Sequence, residues 1–285
     1  MEQELIPALQ ARYRTLRRLY LVYLIAAILA LVLYFVDKRL TLALLGASLV
    51  YHLAVVRPRS KGYQKEYVHT CAQLTLERYL KGAGHTSAPT LTPEEVRQSR
   101  LVAANGEKGS VLCCEGGSGT YKGRPVRLGD VTFSHSFPMD GKTHHEFATG
   151  TYVVVELDHD TGLDWRLVST RVMMKPSRDK WYRENRDLQV LRDPSPSWLE
   201  DGWLVVRREG TPDMPPEGLL KLAKRLSEDT PGALALCVQG DRLHVFVTNR
   251  ILGQKVSIRE APSEARVTQD WLPELRDILA MSDQL

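Results

Sequence analysis

Cysteine is scarce in this 285-residue chain: Cys71, Cys113, Cys114 and Cys237 are the four thiols, and their spacing makes no paired framework. That excludes a disulfide-stapled scaffold and fits thiols kept reduced in a cytosol. No C-x-x-C pair occurs, so the sequence signals of a zinc ribbon or a dithiol redox site are missing. No G-x-S-x-G elbow appears either. One-signed charge is lacking as well. The formal net charge is +4, too small at this length to imply nucleic acid as a partner. With 43% hydrophobic and 25% charged residues, the chain nevertheless has the composition of a globular protein with a sizeable core.

What is present in excess is long apolar runs. Leu19 to Val36 reads LYLVYLIAAILALVLYFV, and Leu40 to Val56 reads LTLALLGASLVYHLAVV. Each predicts roughly 25 Å of apolar helix, about the thickness of a bilayer core. Tyr20, Tyr34 and Tyr51 lie near the ends, where amphipathic rings favour the headgroup layer. No small-residue cleavage site follows the first run and a second begins at once, which argues against a signal peptide. Only Asp37-Lys38-Arg39 separates the runs, so they are expected to form a tight transmembrane hairpin. Ala26 and Ala30 on one helix, with Ala43 and Ala47 on the other, supply small-xxx-small pairs for close packing.

Basic residues set the expected orientation. Arg12, Arg14, Arg17 and Arg18 precede the first run, and Arg57, Arg59, Lys61 and Lys65 follow the second. The positive-inside rule then places both termini in the cytoplasm. These eight side chains are the expected membrane-surface contacts, drawn to anionic lipid headgroups by ~1 kcal/mol each. Three segments result: a cytoplasmic amphipathic stretch over 1–18, a membrane hairpin over 19–56 and a cytoplasmic domain over 57–285.

Within that domain, YQKEYVHTCAQLTLERYL has helical spacing and is expected to close at Gly82 and Gly84, with GHTSAPT as a linker. Thr92-Pro93-Glu94-Glu95 carries a capping-box pattern that predicts a helix through about Ala104. From Ser110 the period changes to two. Val131, Phe133, His135 and Phe137 share one strand face, Asp140-Gly141 marks a turn, and Val153, Val155 and Leu157 share the next. Leu163, Trp165 and Leu167 repeat the alternation after Asp158 to Gly162, predicting a meander with one buried face. Residues 172–198 read as a loop with a short helix near Ser177 to Asn185. WLVVRR is then a strand, LLKLAKRL a basic helix, ALALCVQ and RLHVFVTN a hairpin about Gly240-Asp241, and a helix follows Pro273. Segregated helices and strands define an α+β class: a two-helix transmembrane hairpin, then a mainly antiparallel-sheet domain with packed helices.

Several stretches invite chemistry. GGSGTYKG, from Gly116 to Gly123, has the composition of a phosphate loop but not its order: Lys122 precedes a glycine, and no helix follows. It reads as a flexible turn at Gly116 to Gly119 and a hairpin turn at Lys122-Gly123. His144-His145-Glu146 is a near miss to the H-E-x-x-H zinc helix, with Thr149 where the second histidine belongs. His135 sits in an apolar row and reads as half-buried core. Asp158 to Asp164 starts like a calcium loop, but Leu163 and Ser169 occupy the glycine and glutamate positions. Turn chemistry accounts for it. Cys113-Cys114 alternates across a strand and cannot easily chelate one ion. The sequence therefore points to no cofactor and no metal site.

GTYKGRPVRLGDVTFSHSF, EFATGTYVVVEL, the WLVVRREG strand, the helix after MPP and the ALALCVQGDRLHVFV hairpin together resemble the bacterial membrane-protein family known as domain of unknown function 3137. The likeness covers most of the chain. It departs at DPSPSWLEDGW, where that family carries a more acidic segment with a phenylalanine. The resemblance implies a membrane-anchored cytoplasmic domain in a bacterial inner membrane and assigns no catalytic residues. The expectation is a binding or scaffold module with lipid headgroups and an unidentified protein as partners, and room for oligomerisation. Two alternatives stand beside it. One is a tethered hydrolase, with or without a metal ion, using His135, His144, His145, Glu146, Asp158 or His159. The other is an accessory subunit of a transport or secretion assembly, favoured where small-residue faces of the hairpin are unpaired.

Overall fold

A computed structural model describes residues 2–103, 110–191, 196–199, 202–230, 232–248, 252 and 260–285. The chain forms two compact units, Met1–Leu74 with Gln254–Gln269, and Thr75–Gly253 with Asp270–Leu285.

The first unit is helical. Helix α1 (Glu2–Leu33) runs unbroken from the basic flank through the first apolar run. Asp37 caps α2 (Lys38–Tyr51), its Oδ1 accepting from the Arg39 backbone N–H at 2.8 Å, so Lys38 and Arg39 are already helical. A π-helical turn at His52–Val56 joins α2 to α3 (Arg57–Glu77) without a break. Both Leu5–Leu33 and Lys38–Glu77 are long and apolar enough to cross a membrane. The hairpin closes through Ala30, Thr41 and Ser48, all buried. Ala43 and Ala47 are exposed, so the expected four-alanine contact holds for the first helix and fails for the second. Small hydroxyl residues at helical spacing on α2 occupy the seam instead.

Among the described residues, the second unit is built on a nine-stranded antiparallel sheet. Its elements are β1 (Lys81–Thr86), α4 (Pro93–Gln98), β2 (Val111–Tyr121), β3 (Arg124–Met139), β4 (Lys142–Glu156), β5 (Asp164–Ser169), α5 (Lys175–Glu184), β6 (Leu188–Val190), β7 (Trp203–Arg208), α6 (Glu217–Asp229), β8 (Leu234–Gln239) and β9 (Arg242–Thr248). A short α7 (Glu264–Val267) belongs to the helical unit, and α8 (Glu274–Ser282) returns to the sheet unit. The strand order is β1-β2-β3-β4-β9-β8-β5-β7-β6.

Several expectations change. The helix before Gly82 ends at Glu77, and the first three residues of the expected linker, Gly84, His85 and Thr86, belong to strand β1 and pair with β2. Helix α4 has the expected cap, with Thr92 Oγ1 accepting from the Glu95 N–H at 3.2 Å, but stops at Gln98; Ala104 lies outside the described residues. Strands β4 and β5 are not a hairpin, because β9 and β8 intervene. Every β5 residue is buried, so the centre of the sheet has two covered faces rather than one. Val96 of α4 and Trp181 of α5 pack on the face carrying Tyr152, Cys237 and Phe246. Helix α6 buries Leu219, Leu222, Ala223 and Leu226, outside that cluster. Residues 172–198 hold α5 and edge strand β6.

Gly116 to Gly119 are strand, not turn. A Cβ at Gly116 would stand 2.4 Å from the Leu128 carbonyl oxygen, so glycine permits a close backbone approach there. Lys122 and Gly123, with φ of 50° and 89°, do make the expected hairpin turn.

Candidate functional site

The β3–β4 register sets His135 opposite Glu146, Ser136 opposite His145 and Phe137 opposite His144. Neighbouring side chains alternate faces, so His144 and His145 cannot share a ligand. His144 stacks on Phe137, while His145 Nδ1 lies 2.9 Å from the Ser136 hydroxyl on the other face. Asp158 and His159 follow the far end of β4. Ten residue steps of strand between Glu146 and Glu156 amount to roughly 33 Å. Asp158 faces Arg124 at 3.9 Å.

His135 and Glu146 do meet, through a residue the sequence did not mark. Ser177, in the first turn of α5 and fully buried, donates its hydroxyl hydrogen to Glu146 Oε2 and sits 3.0 Å from His135 Nδ1. Glu146 also accepts the Met174 backbone N–H at 2.6 Å, capping α5 from a neighbouring strand. A carboxylate there complements the helix dipole. Nucleophilic catalysis needs a histidine that accepts the serine proton and is oriented by the acid. Here the acid takes that proton directly, and burial holds His135 below its ordinary pKa. His135 is also more buried than expected, at 2% exposure. The six hydrolase candidates thus divide into a structural cap, two separated histidines and a distant turn. Among the described residues, no group of three His, Cys, Asp or Glu side chains is placed to hold a metal.

The polar concentration lies elsewhere on the sheet unit. A cleft of about 410 Å³ opens between α4, the end of β7 and the β8–β9 hairpin, with Glu95, Gln98, Arg100, Arg208, Arg242 and His244 on its walls. Pairing of Arg166 with Cys237, and of Cys237 with His244, brings these three to one face across β5, β8 and β9. Arg166 is fully buried. Its Nε donates to the Ser99 carbonyl at 2.7 Å and its Nη1 to Asp164, while Nη2 has no partner among the described residues. Asp164 is shared with Arg208 at 3.2 Å. Glu95 is gripped by both Arg127 terminal nitrogens, and Arg242 stands back at 3.9 Å. Arg100 holds Asp187 with contacts of 2.8 and 2.6 Å.

His244 reports the field in this cleft. Burial lowers its pKa first, then Arg242, Arg166 and Arg127, to about 3. The ring is therefore neutral, and Nδ1 lies 3.2 Å from the Tyr152 hydroxyl. A tyrosine donating to Nδ1 leaves the ring proton on Nε2, adding a neutral donor to the guanidiniums. Arg100, Arg208 and Arg242 thus stand on the cleft walls with Glu95 and Asp241, and Arg242 lies 3.8 Å from Asp241.

The sequence reading missed all of these residues. Trp165 and Leu167 placed Arg166 on a solvent face, because one covered face was assumed. A charged residue inside a strand buried on both sides was the available signal.

In the helical unit, Arg12, Arg14, Arg17, Arg18, Arg57, Arg59, Lys61 and Lys65 are all exposed. Arg12 pairs with Glu66.

No protein-family profile and no curated protein matches the chain. Among solved structures, the crystal structure of the mycobacterial trehalose monomycolate transport factor A, TtfA, aligns at 10% identity and a TM-score of 0.35, covering 75% of this chain and 95% of that one. A likeness at that score carries no argument about this protein.

Proposed function

We propose that the chain is a membrane-anchored binding module of a bacterial inner membrane, with both termini and the sheet unit in the cytoplasm. In this reading the cleft over His244 receives an anionic ligand. One observation supports the anchor above all. Of 22 large hydrophobic side chains exposed among the described residues, 17 lie between Leu21 and Leu53. In water, at roughly 1 kcal/mol for each half-exposed side chain, that belt costs on the order of 15 kcal/mol. A domain's whole stability is of similar size. A bilayer removes the cost. Kinship with domain of unknown function 3137 belongs to the same proposal.

Two measurements test it. The full chain should stay in membranes through alkaline carbonate washing, and a Phe35→Cys variant should react with an impermeant thiol reagent from the periplasmic side. Release by carbonate or a protected residue 35 sinks the anchor. In detergent, inorganic phosphate or pyrophosphate should raise the melting temperature of the wild type and not of Arg242→Gln. An equal response from both would remove the cleft from the proposal.

A second reading, an accessory subunit of a membrane assembly, is favoured by the outward placement of Ala43, Gly46 and Ala47 on α2. Small residues facing lipid permit close helix contact. Co-purification of a membrane partner with the wild type, lost in Ala43→Leu/Ala47→Leu, would support it. Retention by the variant would remove it.

A further inference from the structure

Below the apolar belt, α1 and α3 do not close on each other as α1 and α2 do. Tyrosines replace the small residues of the hairpin seam: Tyr13 meets Tyr63 with ring centres 6.1 Å apart, and Tyr63 meets Tyr67 at 6.0 Å. Between the helices lies a groove of about 330 Å³, lined by Arg12, Leu16, Leu19, Arg59, Gly62 and Tyr63. Four features of this groove point to a ligand. Arg59 has no partner among the described residues. Arg12 engages Glu66 through Nη1 alone, which leaves its other donors free. The Tyr63 hydroxyl is buried without a hydrogen-bond partner among the described residues, and its residue is only 4% exposed. Such an orphaned group is costly unless something else satisfies it.

Gly62 is the fourth. Glycine within a helix costs about 1 kcal/mol relative to alanine. Here a Cβ would meet nothing within 4 Å, so packing does not require the glycine. What its absent side chain provides is the opening of the groove.

We propose that this groove binds one anionic phospholipid, its phosphate held by Arg12, Arg59 and the Tyr63 hydroxyl and its apolar part lying along Leu16 and Leu19. The proposal rests on the membrane-spanning reading above. Depth supports a lipid as occupant: Arg59 lies three residues, about 4.5 Å, beyond the end of the apolar run at Val56, which is headgroup level. The leucines continue the apolar surface of the span into the groove, as an acyl chain needs and a free phosphate does not. This differs from diffuse attraction to a basic flank, because it assigns the lipid a place and a stoichiometry.

The test uses the full chain in mild detergent, equilibrated with equimolar phosphatidylglycerol and phosphatidylcholine, with retained lipid read by native mass spectrometry. One phosphatidylglycerol per chain is expected. Tyr63→Phe should weaken its retention about tenfold while leaving the melting temperature unchanged or higher, since an orphaned hydroxyl is removed. Arg59→Gln should weaken it about fivefold. Gly62→Leu fills the groove with every charge intact and should abolish the preference. Arg14→Gln/Arg17→Gln, outside the groove, should stay within about threefold of the wild type. If Tyr63→Phe and Gly62→Leu retain lipid like the wild type, or if the Arg14/Arg17 variant loses as much as they do, the site is overturned in favour of diffuse charge. Excess inorganic phosphate should leave the lipid bound; displacement by it, with phosphate itself retained, would make the occupant a free phosphate and overturn the lipid assignment. Carbonate washing of the same membranes separates the two readings. A chain that stays embedded but shows no preference defeats the groove alone, and a released chain defeats both.

Discussion

The neutral histidine in the arginine cleft makes the stability of the sheet unit depend on pH in a calculable way. His244 has a folded pKa of about 3, against an ordinary 6.5. Its neighbours come from every element around it: Arg242 on its own strand, Arg166 on β5, Arg127 on β3, Tyr152 on β4, Glu95 on α4 and Cys237 on β8. Because the folded pKa is depressed, the unfolded chain takes up a proton first as pH falls. Stability is therefore intact above pH 6.5 and is lost progressively between that value and about 3. At pH 5 the unfolded ring is almost fully protonated and the folded ring is not, a loss of about 2 kcal/mol relative to pH 7.5. His135, also depressed by burial, adds to the loss in the same direction. For a unit of this size, 2 kcal/mol corresponds to a fall of about 4–8 °C in melting temperature. Tryptophan fluorescence of the full chain in detergent reads it, and His244→Gln should flatten the slope by most of that amount. A wild type equally stable at pH 5 and 7.5, or a variant with the wild-type slope, would refute the assignment of a buried neutral ring.

Three further outcomes follow from the packing. Arg166→Met leaves Asp164 buried with Arg208 alone and should destabilise the unit by ~3–5 kcal/mol in chemical denaturation; a loss under 1 kcal/mol would contradict the described pairing. Gly116→Ala, whose Cβ would press on the Leu128 carbonyl oxygen, should cost ~1–3 kcal/mol, whereas Gly84→Ala, with nothing within 4 Å, should not suffer such a clash. Cys114 is the exposed thiol, so maleimide should label it first; Cys71 and Cys237 are buried, with pKa values raised by burial to about 12 and 11, and should react only on unfolding. Equal labelling of all four in the folded chain would contradict that burial.

What was legible in the sequence was whatever has a local cause. The two apolar helices announced themselves by composition, the α4 cap by Thr92-Pro93, the hairpin turns by Lys122-Gly123, Asp140-Gly141 and Gly240-Asp241. Strand adjacency was not legible beyond those turns. Asp158 to Gly162 has the composition of a tight turn, and reading it so joined β4 to β5. In the fold, Gly240 reaches across to the same loop: its carbonyl accepts the Thr161 N–H at 3.1 Å and the Thr161 hydroxyl at 2.7 Å. The turn signal was real, but its partner was another hairpin's turn, and no local pattern carries that information. Strand β1 was missed for a related reason. KGAGHT has almost no side-chain pattern, and the glycines of β2 opposite it admit the close approach that makes it a strand.

The same error about coverage hid the cleft. A meander with one wet face makes Arg166 an ordinary surface residue, and His244 an ordinary neighbour of Phe246. Once both faces are covered, a fully buried arginine needs partners. Asp164 and the Ser99 carbonyl satisfy only part of its fork, and the remainder is held beside a histidine whose pKa burial lowers to about 3. In the sequence, histidines cluster at His144 and His145. Alternation places those two on opposite faces, whereas β5, remote in sequence, pairs with the β8–β9 hairpin and brings Arg166 into one row with Cys237 and His244. Glycine misled at Gly116, which contributes space rather than a turn, and Gly62 contributes space as well. At Gly116 another backbone fills that space. At Gly62 the space is open beside an arginine and a buried tyrosine hydroxyl that have no partner among the described residues, and that difference separates a packing glycine from one proposed to open a site.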